Sequence, residues 1–178
     1  ALGNVAVDQR HFAEAQTDYG NAIAMCERAH FADEVCPRAH NNLGMAYYRQ
    51  GRLDNARAEM SKALAERRAM FGNDHPTVAY SLSTLANVAV KQRDYKTAAD
   101  ESAEALSVLE RAGRGASRED ALIRQGHAQA LWLLDRNDDA LREIDRTLGD
   151  WQRVAPADKS HRVTMLVQKA QILRDLKR

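Results

Sequence analysis

Asn41-Asn42-Leu43-Gly44-Met45-Ala46-Tyr47-Tyr48-Arg49-Gln50-Gly51-Arg52-Leu53-Asp54-Asn55-Ala56-Arg57-Ala58-Glu59-Met60-Ser61-Lys62-Ala63-Leu64 is the stretch that decides the fold. Leu43, Gly44, Ala46 and Tyr47 fall on one side, at the i, i+3, i+4 spacing of an amphipathic helix. Leu53, Ala56, Met60, Ala63 and Leu64 continue that spacing in a second helix. Only Gln50-Gly51-Arg52 lies between them, and so short a joint forces the two helices into an antiparallel hairpin.

Outward from this hairpin the same beat recurs. Ala15, Ala56, Ala98 and Ala140 are spaced by 41, 42 and 42 residues. Leu2, Leu43 and Leu85 keep the register, as do Gly3, Gly44, Ala86, Ala128 and Ala170. Two further series are Phe12, Leu53 and Tyr95, and Ala22, Ala63 and Ala105. A fixed period of this size marks one supersecondary unit stacked on copies of itself. Each unit then touches only its neighbours, and the stack presents a long concave surface suited to holding a partner. Small residues at Gly44, Ala56 and Ala63 let neighbouring helices approach closely.

The joints equivalent to 50–52 are Gln9-Arg10-His11 and Gln92-Arg93-Asp94. Gly51 suits a left-handed helix cap, which Arg10 and Arg93 adopt less cheaply. Longer joints, Phe71 to His75, Arg111 to Arg118 and Val154 to Ser160, connect one hairpin to the next, and the three prolines fall between apolar-periodic segments. Pro is excluded from helix interiors and tolerated in the first turn. The pattern predicts nine helices: a short first one, then pairs, then Ser160 to Lys177 unpaired. The chain opens at Ala1 with its Leu-Gly pair already in place, which reads as a fragment of a longer protein.

The 178 residues carry 26 Lys plus Arg against 25 Asp plus Glu, a net charge of +1. That balance gives no electrostatic reason to expect nucleic acid or an anionic membrane as partner. Mean hydropathy is −0.58, and no apolar run is long enough to insert in a membrane.

Three stretches carry a family resemblance: Asn42-Leu43-Gly44-Met45-Ala46-Tyr47, Gly51-Arg52-Leu53-Asp54-Asn55-Ala56, and Ala63-Leu64. Together they look like a tetratricopeptide repeat. The period near 42 and the linker Phe71-Gly72-Asn73-Asp74-His75-Pro76 resemble the kinesin-light-chain type, with its Gly-x-Asp-His-Pro motif. The first unit has Cys36-Pro37 in place of that linker, and the fourth has His127 where the others have Leu and Asn137 where they have Leu or an aromatic residue. The resemblance implies an all-α solenoid of antiparallel helix hairpins with a right-handed superhelical course. Four repeats would span about 1–36, 37–77, 78–119 and 120–161, with a charged capping helix at 162–178. It also implies a protein-interaction module, of a kind often attached in bacteria to kinases, transcription regulators or signalling ATPases.

At 100° per residue, the face opposite each hairpin contact holds Asn4 and Val7 in the first unit. In the later units it holds Asn41, Met45, Tyr48 and flanking Arg49; Ser83, Asn87, Val90 and Lys91; Gln125, Gln129 and Trp132; and Val167, Gln171 and Arg174. Side-chain amides donate and accept at once, so a ladder of them suits an extended peptide backbone. Tyr48 and Trp132 would be apolar anchors. In the family such asparagines often grip ligand backbone, which carries over to Asn4, Asn41 and Asn87. The subtype that clamps a C-terminal carboxylate is disfavoured, because Tyr80 and Thr84 stand where its basic residues would be.

Nothing points to catalysis, a metal or a cofactor. The six histidines lack ligand spacing. His127 reads as a core histidine, His75 as a helix-start residue, and Gly113-Arg114-Gly115-Ala116-Ser117 as an inter-repeat linker. Cys26 and Cys36 leave two readings open: a staple between the first repeats if the chain is exported, or two small buried hydrophobes in a reducing cytosol, the favoured one. The expected function is a scaffold for a peptide or protein segment in the cytoplasm. The alternatives are a regulatory segment of a larger bacterial signalling protein such as a serine/threonine kinase, outside the cytoplasm, and self-association through the solenoid ends.

Overall fold

The computed structural model describes residues 12–29, 34–113 and 117–177. These form eight helices: α1 (Phe12–Ala29), α2 (Val35–Arg49), α3 (Leu53–Phe71), α4 (Pro76–Gln92), α5 (Tyr95–Arg111), α6 (Arg118–Leu133), α7 (Asn137–Val154) and α8 (Lys159–Asp175). There is no strand among the described residues. The expected first helix, with Asn4 and Val7, lies outside them. Each helix packs mainly on the one before and the one after, with lighter contacts from α4 to α6 and from α6 to α8. This is the all-α hairpin solenoid that the 42-residue beat requires.

The beat is a packing rule. Ala15, Ala56, Ala98 and Ala140 are all 0% exposed. Interiors pack at crystal density, so a position that repeatedly receives a crossing helix holds the smallest side chain that still forms helix. Around these alanines run continuous apolar clusters. One joins Met60, Leu64, Val78, Leu82, Leu85, Val108 and Ile123. Another joins Leu131, Ile144, Trp151, Met165 and Ile172.

The short joints share one geometry. Gly51, Arg93 and Asp135 have φ of +76°, +63° and +59°. The next amide N–H donates back in each case: Arg52 to Tyr47 O at 3.0 Å, Asp94 to Ala89 O at 2.9 Å, and Arg136 to Leu131 O at 3.0 Å. That is the six-to-one bond of a Schellman ending. Arg93 and Asp135 therefore take a left-handed backbone that disfavours L residues by about 1–2 kcal/mol. Packing on either side of the joint fixes its geometry, and the cost is tolerated.

Helix starts are capped by the residues the joints supply. His75 caps α4, its Nδ1 accepting the Thr77 N–H at 3.3 Å ahead of Pro76, and its ring stacks on Phe71. Ser117 and Asp120 form a reciprocal capping box at α6. Asp94 caps α5 and Asp158 caps α8, and backbone or side-chain hydrogen bonds hold both carboxyls below their usual range.

Cys26 on α1 and Cys36 on α2 are disulfide-bonded, with Cα atoms 5.8 Å apart. The staple spans the joint between the first two units, where the sequence reading favours separate thiols. Protein purified in air and denatured without reductant should titrate no thiol; two reactive thiols would refute the staple.

Candidate functional site

The face opposite the hairpin contacts is built from α2, α4, α6 and α8, and the structure assembles its residues unevenly. On α2, Met45 and Tyr48 turn partly inward and pack against the central core, while Asn41 is half-buried and Arg49 exposed. The reason is the closeness of α4: Lys91 Nζ lies 4.4 Å from the centre of the Tyr48 ring. This cation–π contact shields the ring, and burial raises the Tyr48 hydroxyl above its ordinary pKa. Thr84 Oγ1 lies 3.4 Å from Asn41 Oδ1 while donating to Ser81 O at 2.8 Å. The α2–α4 part of the face is thus half closed by its own side chains.

Between α4 and α6 it opens. A hollow of about 240 Å³ is walled by Tyr80, Ser83, Asn87 and Val90 on α4 and by Leu122 and Gly126 on α6. Ala98 and Ser102 of α5 form its floor, and Glu119 lies on its rim. Gly126 creates much of the space. The positions one repeat-length away on α2, α4 and α8 are Asn42, Thr84 and Gln168, so three units fill this spot with a side chain. A Cβ built on Gly126 meets nothing within 4 Å. Neither Gly126 nor Leu122 belongs to the face derived from helical angles. The signal that could have found them is the lone glycine in that series.

Beyond the hollow, Gln125 is half-buried and Gln129 exposed. Trp132 donates its indole N–H to Asp175 Oδ2 at 2.8 Å, tying α6 to α8. That bond, with Arg174 beside it, holds the Asp175 carboxyl below its usual range. Gln171 on α8 is half-buried. Of the expected amides, Asn87 lines the hollow, while the anchors expected at Tyr48 and Trp132 are already engaged within the protein.

His127 packs between α5 and α6, its Nδ1 2.9 Å from the Ser102 hydroxyl. Burial pushes its pKa down, so the native protein holds it neutral. No group of three or more His, Cys, Asp or Glu side chains suited to a metal occurs among the described residues. A second hollow, of about 260 Å³ among α5, α6 and α7, sets Arg124, Arg146 and Arg153 against Glu110, Asp120 and Asp150. Arg124 bonds Glu143 at 3.0 Å and Arg153 pairs with Asp150, so its charges are balanced internally.

Long-range polar contacts hold the stack in register. Arg67, buried on α3, reaches Glu34 at 2.9 Å and the Ser81 hydroxyl at 2.7 Å, linking α2, α3 and α4. Arg57 pairs with Glu101 and Arg68 with Glu104, each 2.5 Å, joining α3 to α5. The exposed Arg68–Glu104 pair is worth at most about 1 kcal/mol, so it sets orientation more than stability.

Residues 35–111 match the tetratricopeptide repeat family. No curated protein sequence matches the chain. Among solved structures, BtubC (BKLC) from P. vanneervenii superposes with a TM-score of 0.89 at 18% identity, covering 99% of this chain and 70% of that one. A Podosopora anserina protein of nearly identical TPR-like repeats, described as a putative kinesin light chain, gives 0.82 at 12% identity, covering 99% and 84%. PlcR from Bacillus thuringiensis, solved with the peptide PapR7 and DNA, gives 0.71 at 19% identity, covering 98% and 60%.

Proposed function

We propose, on the premise that residues 35–111 are tetratricopeptide repeats and that the same solenoid runs through the described chain, that its inner face holds an extended segment of a partner protein. The observation that carries this is the hollow between α4 and α6. It is large enough for one apolar side chain, walled by Tyr80, Val90 and Leu122, and bordered by the amide of Asn87. Asn87 and Gln129 are exposed on the inner side of consecutive units, where an amide meets a peptide group without prior loss of an internal partner. PlcR, a protein of similar fold, is solved in complex with the peptide PapR7, which supports peptide binding as a use of this fold. The role is binding and positioning, with no chemical step.

A displayed library of random peptides supplies the test. Selected peptides should share an apolar residue. Gly126→Leu should weaken their binding about ten- to hundredfold, the worth of burying one aliphatic side chain. The substitution places its side chain in open space on a helix, so the thermal midpoint should not fall. Selected peptides that bind Gly126→Leu as tightly as the unaltered chain would remove the hollow from the account.

A further inference from the structure

The hollow between α4 and α6 has a charged rim with a definite sign. Among the described residues that line it, Glu119 alone bears a formal charge. Glu119, Leu122, Ile123 and Gly126 follow the i, i+3, i+4, i+7 spacing, so they share one stripe of α6. Seven residues of helix set Glu119 about 10 Å along the axis from Gly126. Glu119 is exposed, and no cation among the described residues pairs with it. Its neighbour Arg118 bonds Asp158 at 2.7 Å, and Lys91, near the end of α4, lies over the Tyr48 ring. The hydroxyls of the α4 wall favour the same kind of ligand. Ser83 donates to Tyr80 O at 3.0 Å and Thr84 to Ser81 O at 2.8 Å. A hydroxyl has one proton, so each has only lone pairs left to offer.

We infer that the segment held on the inner face carries a lysine or arginine within two residues of the apolar side chain that enters the hollow, and that Glu119 receives its head group. The inference rests on the peptide-binding reading above and names the class of segment that this reading left open. Two residues of extended chain cover about 7 Å, and the long stem of lysine or arginine spans the remainder to Glu119. Such stems lie along apolar surface while their heads stay in water, and Leu122, 38% exposed between Gly126 and Glu119, offers that surface. An acidic residue at the same place would meet a like charge and hydroxyls whose protons are already engaged. The whole chain carries a net charge of +1, so its overall field gives a cation no general attraction. The preference is therefore local, and it depends on distance from the apolar residue.

The probe is a synthetic library of nonapeptides with leucine fixed at the centre and the other positions random, enriched on the immobilised 178-residue chain. Lysine and arginine should be enriched, and aspartate and glutamate depleted, within two places of the leucine and not at the ends. The most enriched peptide, labelled with fluorescein, is then titrated by anisotropy. Glu119→Gln should weaken it about three- to fivefold and Glu119→Lys at least about tenfold, both losses shrinking in 1 M salt. The same peptide with glutamate in place of its basic residue should bind Glu119→Lys more tightly than the unaltered chain. Glu119 is exposed and unpaired among the described residues, so both variants should melt close to the unaltered chain. A peptide weakened by Gly126→Leu but bound equally by Glu119→Lys overturns this inference and leaves the hollow standing. Basic residues enriched equally at every position also overturn it, since they report general attraction. A peptide indifferent to both substitutions, or no enrichment at all, removes the hollow and this inference together.

Discussion

Trp151→Ala is expected to lower the stability of the chain by about 3–5 kcal/mol, the cost of emptying a large aromatic site. Trp151 is 1% exposed and is the largest fully buried side chain among the described residues. Its indole N–H donates to Asp158 O at 3.1 Å, in the joint that caps α8. The guanidinium of Arg118, at the start of α6, lies 5.5 Å from the ring centre and bonds Asp158 at 2.7 Å, and the His161 ring is tilted against the indole at 5.2 Å. One side chain thus pins α6, α7 and the α7–α8 joint together. Against a total stability of about 5–15 kcal/mol, the loss should depress the thermal midpoint by on the order of 10 °C. Trp151→Phe keeps most of the volume and removes the hydrogen bond, so its cost should be nearer ~1 kcal/mol. A Trp151→Ala midpoint equal to that of the unaltered chain would show that α7 does not pack as described.

Gly44→Leu is the second large effect, and it tests the repeat rule itself. A Cβ at residue 44 would lie 2.7 Å from Met60 Cγ and 3.0 Å from the Ala56 carbonyl oxygen. The thioether can swing away, but the carbonyl belongs to the backbone of α3 and moves only if the helix does. Overpacking of this kind costs about 1–3 kcal/mol or more. Ala86 and Ala128 hold the same position in the next two hairpins, where Ser102 and Ile144 stand in place of Met60. Gly44→Ala therefore gains about 0.5–1 kcal/mol of helix propensity and loses it to the contact. In a chemical denaturation series Gly44→Ala should stay close to the unaltered chain, and Gly44→Leu should fall well below both. Gly44→Leu as stable as the unaltered chain would place α2 farther from α3 than the structure has it.

Much of this architecture is legible in the chain because its determinants are local or periodic. The joints at 50–52 and 92–94 and the longer joint from Phe71 to His75 fall where Gly, Pro and the apolar period place them. The four alanines in register are all fully buried, since a crossing point recurs with the unit that makes it. What escaped the reading depends on neighbours distant in sequence. Nothing local announces that Arg93 takes a left-handed backbone, because the two helices it joins impose it. Arg67 reaches Glu34 and Ser81 across two helix boundaries, and no spacing rule anticipates such a contact. Helical angles turned Met45 and Tyr48 outward, while the packing of α4 on α2 turned them partly in. The hollow at Gly126 was present in the sequence as a missing side chain, visible only once the units are aligned on one another.

The inner-face account stands most directly on where a bound peptide perturbs the protein. Amide shifts in an isotope-labelled chain titrated with a library-selected peptide should concentrate on Ser83, Asn87, Leu122, Gly126 and Gln129, across the gap between α4 and α6. Shifts concentrated instead on the outer sides of α3, α5 and α7, with Asn87 and Gly126 unmoved, would contradict it.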